Sequence, residues 1–296
     1  MPASSPAGPT EAVVCGAGLM GHGIAQVLAG AGHAVALYEP ELARAEAGVA
    51  RIAGNLERSV VKGRLTSDDA QAQLARIRAT DSLADAAAGA GLAIEAVFED
   101  EAVKRDLLAQ LDALLPGAAI LASNTSSISI TRLADAVRPI RRPLVVGMHF
   151  FSPVPVMPLV EMVMGGETSA ATATEVRALA EAMGKQVIVS RDRPGFIVNR
   201  ILMPLLIEAM RAYEEGLGTA EDIDAGARLG LSHPMGPLEL ADFIGLDVCL
   251  HVMEVLREGL GAPQFDPPAV LRRLVDAGHL GQKTGRGFYT YPRSAR

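Results

Sequence analysis

The stretch VVCGAGLMGHGIA, residues 13–25, is the most informative part of the chain about its fold. Its apolar start is typical of a short buried strand, and its end is typical of a helix. Between them Gly16, Gly18 and Gly21 form the pattern G-x-G-x-x-G, which is weak alone but informative between a strand and a helix. There the first glycine permits the tight turn, the second lets a pyrophosphate approach the backbone, and the third lets helix and strand pack closely. The stretch therefore predicts a dinucleotide-binding turn at a helix N-terminus.

A second strand, HAVALYE at residues 33–39, follows the predicted helix and ends on an acid. Glu39 lies 18 residues after Gly21, where a carboxylate can accept hydrogen bonds from both ribose hydroxyls of an adenosine. The same carboxylate would repel a 2′-phosphate. We therefore predict that NAD, rather than NADP, binds to the glycine turn with its inner residues Leu19 and Met20, and to Glu39. The alternative is a plain strand–turn–helix without a ligand.

Strands and helices continue to alternate along the first two-thirds of the chain, and this order is typical of a parallel sheet covered by helices. After Arg191 the pattern is nearly all helical. We predict an α/β Rossmann-type N-terminal domain over residues 10–190, with a helical insertion at 40–78, followed by an all-α C-terminal domain over residues 191–296. Residues 1–9 are predicted to form a disordered start.

The composition argues against several classes of protein. The net charge is −7 and no basic stripe is present, which argues against a nucleic-acid partner. Two cysteines without a C-x-x-C pair predict neither a disulfide framework nor a metal site. No run of 18 apolar residues and no signal-peptide pattern is present, so we expect a soluble, cytoplasmic protein that does not enter a membrane.

The stretch HFFSPVPVMPLVE, residues 149–161, places a histidine and a glutamate in two apolar strands joined by proline-rich chain. If the chain doubles back at Pro155, midway between them, His149 and Glu161 face each other. Imidazole exchanges protons near neutral pH, and a carboxylate beside it favours its cationic form. Two structural interpretations compete with this proton-transfer pair: a core histidine with satisfied hydrogen bonds, and an edge-strand charge.

Seven motifs together resemble one family. In chain order they are GAGLMGHGIA, EAVFEDEAVK, SNTSSISI, GMHFFSPVPVMPLVE, PGFIVNR, HPMGPLELADFIGLD and KTGRGFY. Over residues 11–292 the chain is similar to 3-hydroxyacyl-CoA dehydrogenases, and it looks most like their short bacterial form, often called 3-hydroxybutyryl-CoA dehydrogenase. The resemblance implies NAD-dependent oxidation of a short L-3-hydroxyacyl-CoA, a Rossmann domain, and a helical domain that forms a homodimer.

The resemblance also implies roles for the positions that match the motifs. His149 would be the general base and Glu161 its partner, while Ser126 and Asn199 would bind the substrate near its reacting oxygen. The positions implied to lie beside the cofactor are Glu99, Lys104, Ser126, Ser152 and Lys283. Lys62 resembles a position that meets the CoA part of the substrate.

Ser152 departs from the family pattern, because asparagine usually follows HFF in the short enzymes. A serine hydroxyl has a shorter reach than an amide, so the sequence does not identify the acyl group of the substrate or the carrier to which that group is attached. One alternative substrate is a hydroxyacyl unit on a carrier protein, or a free hydroxy acid, in a biosynthetic pathway. Another alternative, from a different class, is an inactive NAD-binding structural protein of the kind that lens crystallins represent.

Overall fold

The structure, a computed structural model, describes residues 11–292. The contacts within the chain divide it into two compact units, the first ending at Arg193 and the second beginning at Pro194. The disordered start predicted for residues 1–9 lies outside the described residues.

In the described part of the first unit, residues 11–193, the chain forms one sheet of eight strands in the order β3-β2-β1-β4-β5-β6-β7-β8. Its strands are β1 (Glu11–Cys15), β2 (Ala34–Tyr38), β3 (Ile77–Thr80), β4 (Leu92–Glu95), β5 (Ile120–Ser123), β6 (Val145–Phe150), β7 (Leu159–Met164) and β8 (Gln186–Arg191). Every neighbouring pair is parallel except β6 and β7, which are antiparallel. Only residues 151–158 join that pair, and a parallel connection needs a crossover of about a dozen residues or more. The predicted α/β architecture is confirmed, but the sheet is mixed.

Within residues 11–193 seven α-helices accompany the sheet: α1 (Leu19–Gly30), α2 (Leu42–Val61), α3 (Ser67–Leu74), α4 (Leu83–Ala87), α5 (Glu101–Leu114), α6 (Ile130–Ala134) and α7 (Ala170–Ala182). Five of them begin after a serine, threonine or aspartate whose side chain accepts a backbone N–H of the first turn. Such caps satisfy donors that the helix itself leaves unpaired. Val14, Leu37 and Ile94 of the central strands are fully buried and belong to the main hydrophobic core.

The second unit is helical, as predicted, with α8 (Val198–Glu214), α9 (Ala220–Ala225), α10 (Pro237–Ile244), α11 (Leu246–Leu260) and α12 (Ala269–Asp276). The buried carboxylates of Asp224 and Asp242 accept hydrogen bonds from its C-terminal segment. The hydroxyl of Tyr289 donates to Asp224 across 2.8 Å, and that of Tyr291 donates to Asp242 across 3.0 Å. Burial, against hydrogen bonds from the tail, leaves the pKa of Asp242 raised.

None of the helices between residues 11 and 292 combines the length and the hydrophobicity that a bilayer crossing requires.

Candidate active site

The strand order places the candidate site at the carboxyl ends of the central parallel strands. Successive strands are added on opposite sides of the β1–β4 pair, which makes the carboxyl ends of these two strands the switch point where ligands bind in open α/β sheets. Gly16 directly follows β1, and Glu95 ends β4. Ser123 ends β5, and His149 is the penultimate residue of β6. The predicted cofactor turn and the predicted base therefore lie at the carboxyl ends of strands of one parallel set.

The glycine turn has the geometry that its sequence predicts. Gly16 has a φ of +99°, and a Cβ there would lie 2.6 Å from the carbonyl oxygen of Ala96. A Cβ at Gly21 would overlap the carbonyl oxygen of Gly16. A Cβ at Gly18 would meet nothing within 4 Å, and Gly18 is exposed at the N-terminus of α1. Open space in front of unpaired helix N–H groups fits the pyrophosphate of NAD.

Glu39 lies beside this turn. Its Oε1 accepts the backbone N–H of Ala17 across 2.7 Å, which fixes the half-buried carboxylate at the end of β2. Arg51 of α2 donates to the carbonyl of the same Ala17 across 3.2 Å. An acid held in this place, next to the glycine turn, fits the adenosine ribose of NAD.

His149 and Glu161 form a buried pair. They are direct partners in the antiparallel register of β6 and β7, and His149 Nδ1 lies 3.0 Å from Glu161 Oε2. The side chain of His149 is 6% exposed and that of Glu161 is fully buried. An ionised carboxylate only accepts hydrogen bonds, so the ring nitrogen that faces it, Nδ1, is the one that donates. The turn predicted around Pro155 is thus confirmed as geometry.

The loop 151–158, between the two members of the pair, is fastened on two sides. The ammonium of Lys185, which is 7% exposed, donates to the carbonyls of Val154 across 2.5 Å and Met157 across 2.9 Å. Burial lowers the pKa of this lysine. Val154 is buried against Gly23 of α1, where a Cβ would lie 2.8 Å from the Val154 Cβ. The loop therefore has a fixed position relative to the cofactor helix.

Glu95, Lys104 and Glu99 form a second group of charged side chains, after the His149–Glu161 pair. The sequence analysis did not predict a role for Glu95, the central member of this group. Glu95 is fully buried and accepts two hydrogen bonds from Lys104, at 2.9 and 2.7 Å, and one from the hydroxyl of Ser123. Lys104, expected to lie along the cofactor, is itself 1% exposed and also contacts Glu99 across 3.4 Å. A lone acid within the apolar run GLAIEAV was the available signal, because a buried carboxylate needs a partner.

The remaining predicted residues lie in different places. Ser152 is half-buried in the loop 151–158, and Lys62 is exposed at the C-terminus of α2. Asn199 is half-buried near the start of α8, and Lys283 is exposed and pairs with Asp247 across 2.5 Å. Asn199 and Lys283 both belong to the second unit.

Two family models match almost the whole described chain. The model described as "3-hydroxyacyl-CoA dehydrogenase, NAD binding domain" matches residues 11–193. The model described as "3-hydroxyacyl-CoA dehydrogenase, C-terminal domain" matches residues 195–291.

Individual proteins agree with these models. The chain is 50% identical over 279 residues to 3-hydroxybutyryl-CoA dehydrogenase of Bradyrhizobium diazoefficiens, covering 94% of each chain. It is 47% identical over 281 residues to a probable 3-hydroxybutyryl-CoA dehydrogenase of Bacillus subtilis, covering 95% of this chain and 97% of the relative. The crystal structure of (S)-3-hydroxybutyryl-CoA dehydrogenase PaaH1 from Ralstonia eutropha is similar with a TM-score of 0.92 and 44% identity, over 96% of this chain and 100% of that one.

Proposed function

The chain belongs to the 3-hydroxyacyl-CoA dehydrogenase family, and from this premise we propose that it interconverts a short L-3-hydroxyacyl-CoA and its 3-ketoacyl-CoA, with NAD as cofactor and His149 as the base. The observation that carries the choice of base is the buried His149–Glu161 pair at 3.0 Å. A histidine held in one tautomer by a buried carboxylate is the arrangement that moves a proton to and from a substrate hydroxyl.

Oxidation of the substrate alcohol removes a hydride from C3 and a proton from the oxygen. NAD supplies the hydride acceptor when it is bound. His149 Nε2 takes the hydroxyl proton while the C3–O bond becomes a carbonyl, and Glu161 stabilises the imidazolium that forms. In the reverse direction the imidazolium returns the proton to the oxygen.

Four further contacts belong to this proposal and rest on the family resemblance. Ser126, in the loop after β5, donates to the substrate oxygen. Asn199, in FIVNR, is a second polar group for that oxygen, and Lys62 meets the CoA part. Lys283 reaches toward the cofactor from the KTGRGFY segment.

We also propose a homodimer formed through the second unit. Its surface carries large apolar side chains that the unit does not cover, among them Ile201 at 69%, Leu217 at 81% and Leu229 at 85% exposed. Single exposed apolar residues are normal, but several on one small helical unit favour a protein partner.

The proposed pair is tested with two substitutions. His149→Ala and Glu161→Gln should each lower kcat by about 10² to 10⁴ without changing NAD affinity, the range that removal of a general base or its support produces. Isothermal titration with NAD and steady-state reduction of acetoacetyl-CoA provide the two readings. Retained turnover in His149→Ala, with NAD still bound, would show that another group is the base.

A substrate panel tests the choice of substrate. Acetoacetyl-CoA, longer 3-ketoacyl-CoA thioesters, carrier-protein thioesters and free 3-keto acids are each reduced with NADH and with NADPH. We expect the highest kcat/KM for a short acyl-CoA with NADH. A higher value for a carrier-protein thioester or a free acid would identify the alternative dehydrogenase. NAD binding without turnover of any member would identify an inactive NAD-binding protein.

A further inference from the structure

We propose that Glu99 is a positioning residue that holds the Ser126 loop in its working shape, and that the buried Glu95–Lys104 pair holds Glu99. The inference rests on the function proposed above, in which Ser126 contacts the substrate oxygen. Family resemblance implies instead that Glu99 and Lys104 lie along the cofactor. In the structure Glu99 accepts hydrogen bonds from the loop that carries Ser126, and Lys104 donates to Glu95 at the end of β4.

The first observation is the set of donors to one oxygen of Glu99. Its Oε1 accepts the hydroxyl of Thr125 across 2.6 Å and the backbone N–H of Ser126 across 2.8 Å. The same atom accepts the backbone N–H of Ser127 across 3.0 Å and the hydroxyl of Ser127 across 2.9 Å. Four donors from three successive residues converge on one atom, so the path of the loop through Ser126 depends on this carboxylate.

The second observation concerns the charge of Glu99. Burial acts to raise its pKa, but the ammonium of Lys104 and the hydrogen bonds from Thr125, Ser126 and Ser127 outweigh it, so the pKa lies below its usual value. A protonated acid would lose acceptor strength toward the backbone N–H groups. Glu99 is therefore a carboxylate at neutral pH, which is the form that the loop requires.

The third observation is that Glu95 supports the loop by two routes. Through Lys104, which it holds with both carboxylate oxygens, it fixes the cation that faces Glu99 Oε2. Through the hydroxyl of Ser123, which donates to Glu95, it fixes an oxygen that accepts the backbone N–H of Thr125 across 3.2 Å. Buried Glu95 is thus the common anchor of the segment that carries Ser126.

A double-mutant cycle between Glu99 and Ser126 tests the inference. Glu99→Gln keeps the shape of the side chain and removes its charge; because that side chain is 30% exposed, the variant should fold. We expect kcat/KM for acetoacetyl-CoA to fall about tenfold to a hundredfold, the size of effect that a displaced substrate contact produces, with NAD affinity unchanged. In the Ser126→Ala background the same substitution should change kcat/KM less than about threefold, because the group that Glu99 positions is gone.

Two results would overturn the inference. Losses that multiply in the double variant mean that Glu99 does not act through Ser126. A weaker NAD affinity in Glu99→Gln, equal in both backgrounds, means that Glu99 acts through the cofactor. If Ser126→Ala alone keeps wild-type kcat/KM, the proposed role of Ser126 fails instead, and that result is separate from the coupling.

Glu101→Gln is the matched control. Glu101 lies two residues along the chain, at the start of α5, and pairs with Arg132 across 2.8 Å. It makes none of the loop contacts described here, so the substitution should leave kcat/KM within about twofold of wild type. The anchor is tested by Glu95→Gln with Lys104→Met, which removes both buried charges together and leaves neither unpaired. This variant should lose kcat/KM as Glu99→Gln does, and wild-type kcat/KM would remove the buried pair from the proposal.

Discussion

Two alanine substitutions in the glycine turn should have opposite consequences. Gly18 has a φ of −65°, which any residue adopts, and an added Cβ would meet nothing within 4 Å. Gly21 is packed so closely on the turn after β1 that an added Cβ would overlap the carbonyl oxygen of Gly16. The methyl group added in Gly18→Ala therefore lies where the cofactor approaches, and the one added in Gly21→Ala lies inside the protein.

The expected magnitudes follow from these surroundings. Gly18→Ala displaces the pyrophosphate from one or more helix N–H groups, and a hydrogen bond to a charged group contributes about 1.5–3 kcal/mol. NAD affinity should fall at least about tenfold, since about 1.4 kcal/mol corresponds to a factor of ten. The folding stability of Gly18→Ala should stay within about 1 kcal/mol of wild type. Gly21→Ala forces α1 away from β1, and such overpacking costs about 1–3 kcal/mol or more, or several degrees in Tm.

Calorimetric titration with NAD and scanning calorimetry without it measure the two effects separately. Gly18→Ala should combine weak binding with a normal Tm, and Gly21→Ala should show a lowered Tm. Wild-type NAD affinity in Gly18→Ala would refute the placement of the pyrophosphate at the N-terminus of α1.

Four other expectations concern separate parts of the chain. NAD should exceed NADP in kcat/KM, and Glu39→Ala should reduce that preference; equal values for the wild type would contradict the role of the carboxylate. Ser152→Asn should leave kcat/KM on acetoacetyl-CoA unchanged or raise it, and a decrease would indicate that serine makes room for an unusual acyl group. Burial acts to raise the pKa of Asp112, but hydrogen bonds from Arg138 and Arg141 outweigh it and lower the pKa to about 2. A lowered carboxyl pKa stabilises the fold above the unfolded value of about 3.9, and this stabilisation is lost as pH falls toward 2. Urea unfolding of Asp112→Asn at pH 7 should therefore show a loss of about 2 kcal/mol or more, because Arg141, which is 1% exposed, loses its carboxylate partner, and the difference should shrink near pH 2. Sedimentation at micromolar concentration should give a dimer that Ile201→Lys dissociates, and a monomeric wild type would exclude this assembly.

The parts of the fold that local patterns specify were predictable. The glycine turn, the strand before it and the helix after it follow from one short motif. The facing of His149 and Glu161 followed from two apolar strands and a turn between them, because a side chain in a hairpin has only one directly opposite partner.

The buried ionic group was not predictable in the same way. Lysine is almost never fully buried, so a surface position beside the cofactor was the ordinary expectation for Lys104. Its partner Glu95 ends a strand while Lys104 lies in the following helix, and only the packing of α5 on the sheet brings them to 2.7 Å. The same limit applies to Lys185, whose carbonyl partners lie in a loop about 30 residues earlier.

The way in which Lys185 holds the loop 151–158 has a consequence for enzyme engineering. The ammonium of Lys185 donates to the backbone carbonyl oxygens of Val154 and Met157, and every amino acid supplies such an oxygen. The strands on either side keep His149 and Glu161 in register whatever the loop side chains are. Two side chains of the loop make contacts of their own: the ring of Phe151 lies 4.5 Å from that of His149, and Val154 packs against Gly23. The other loop positions are therefore replaceable, and a library that randomises them at constant length would explore new substrates without disturbing the atoms that move the proton.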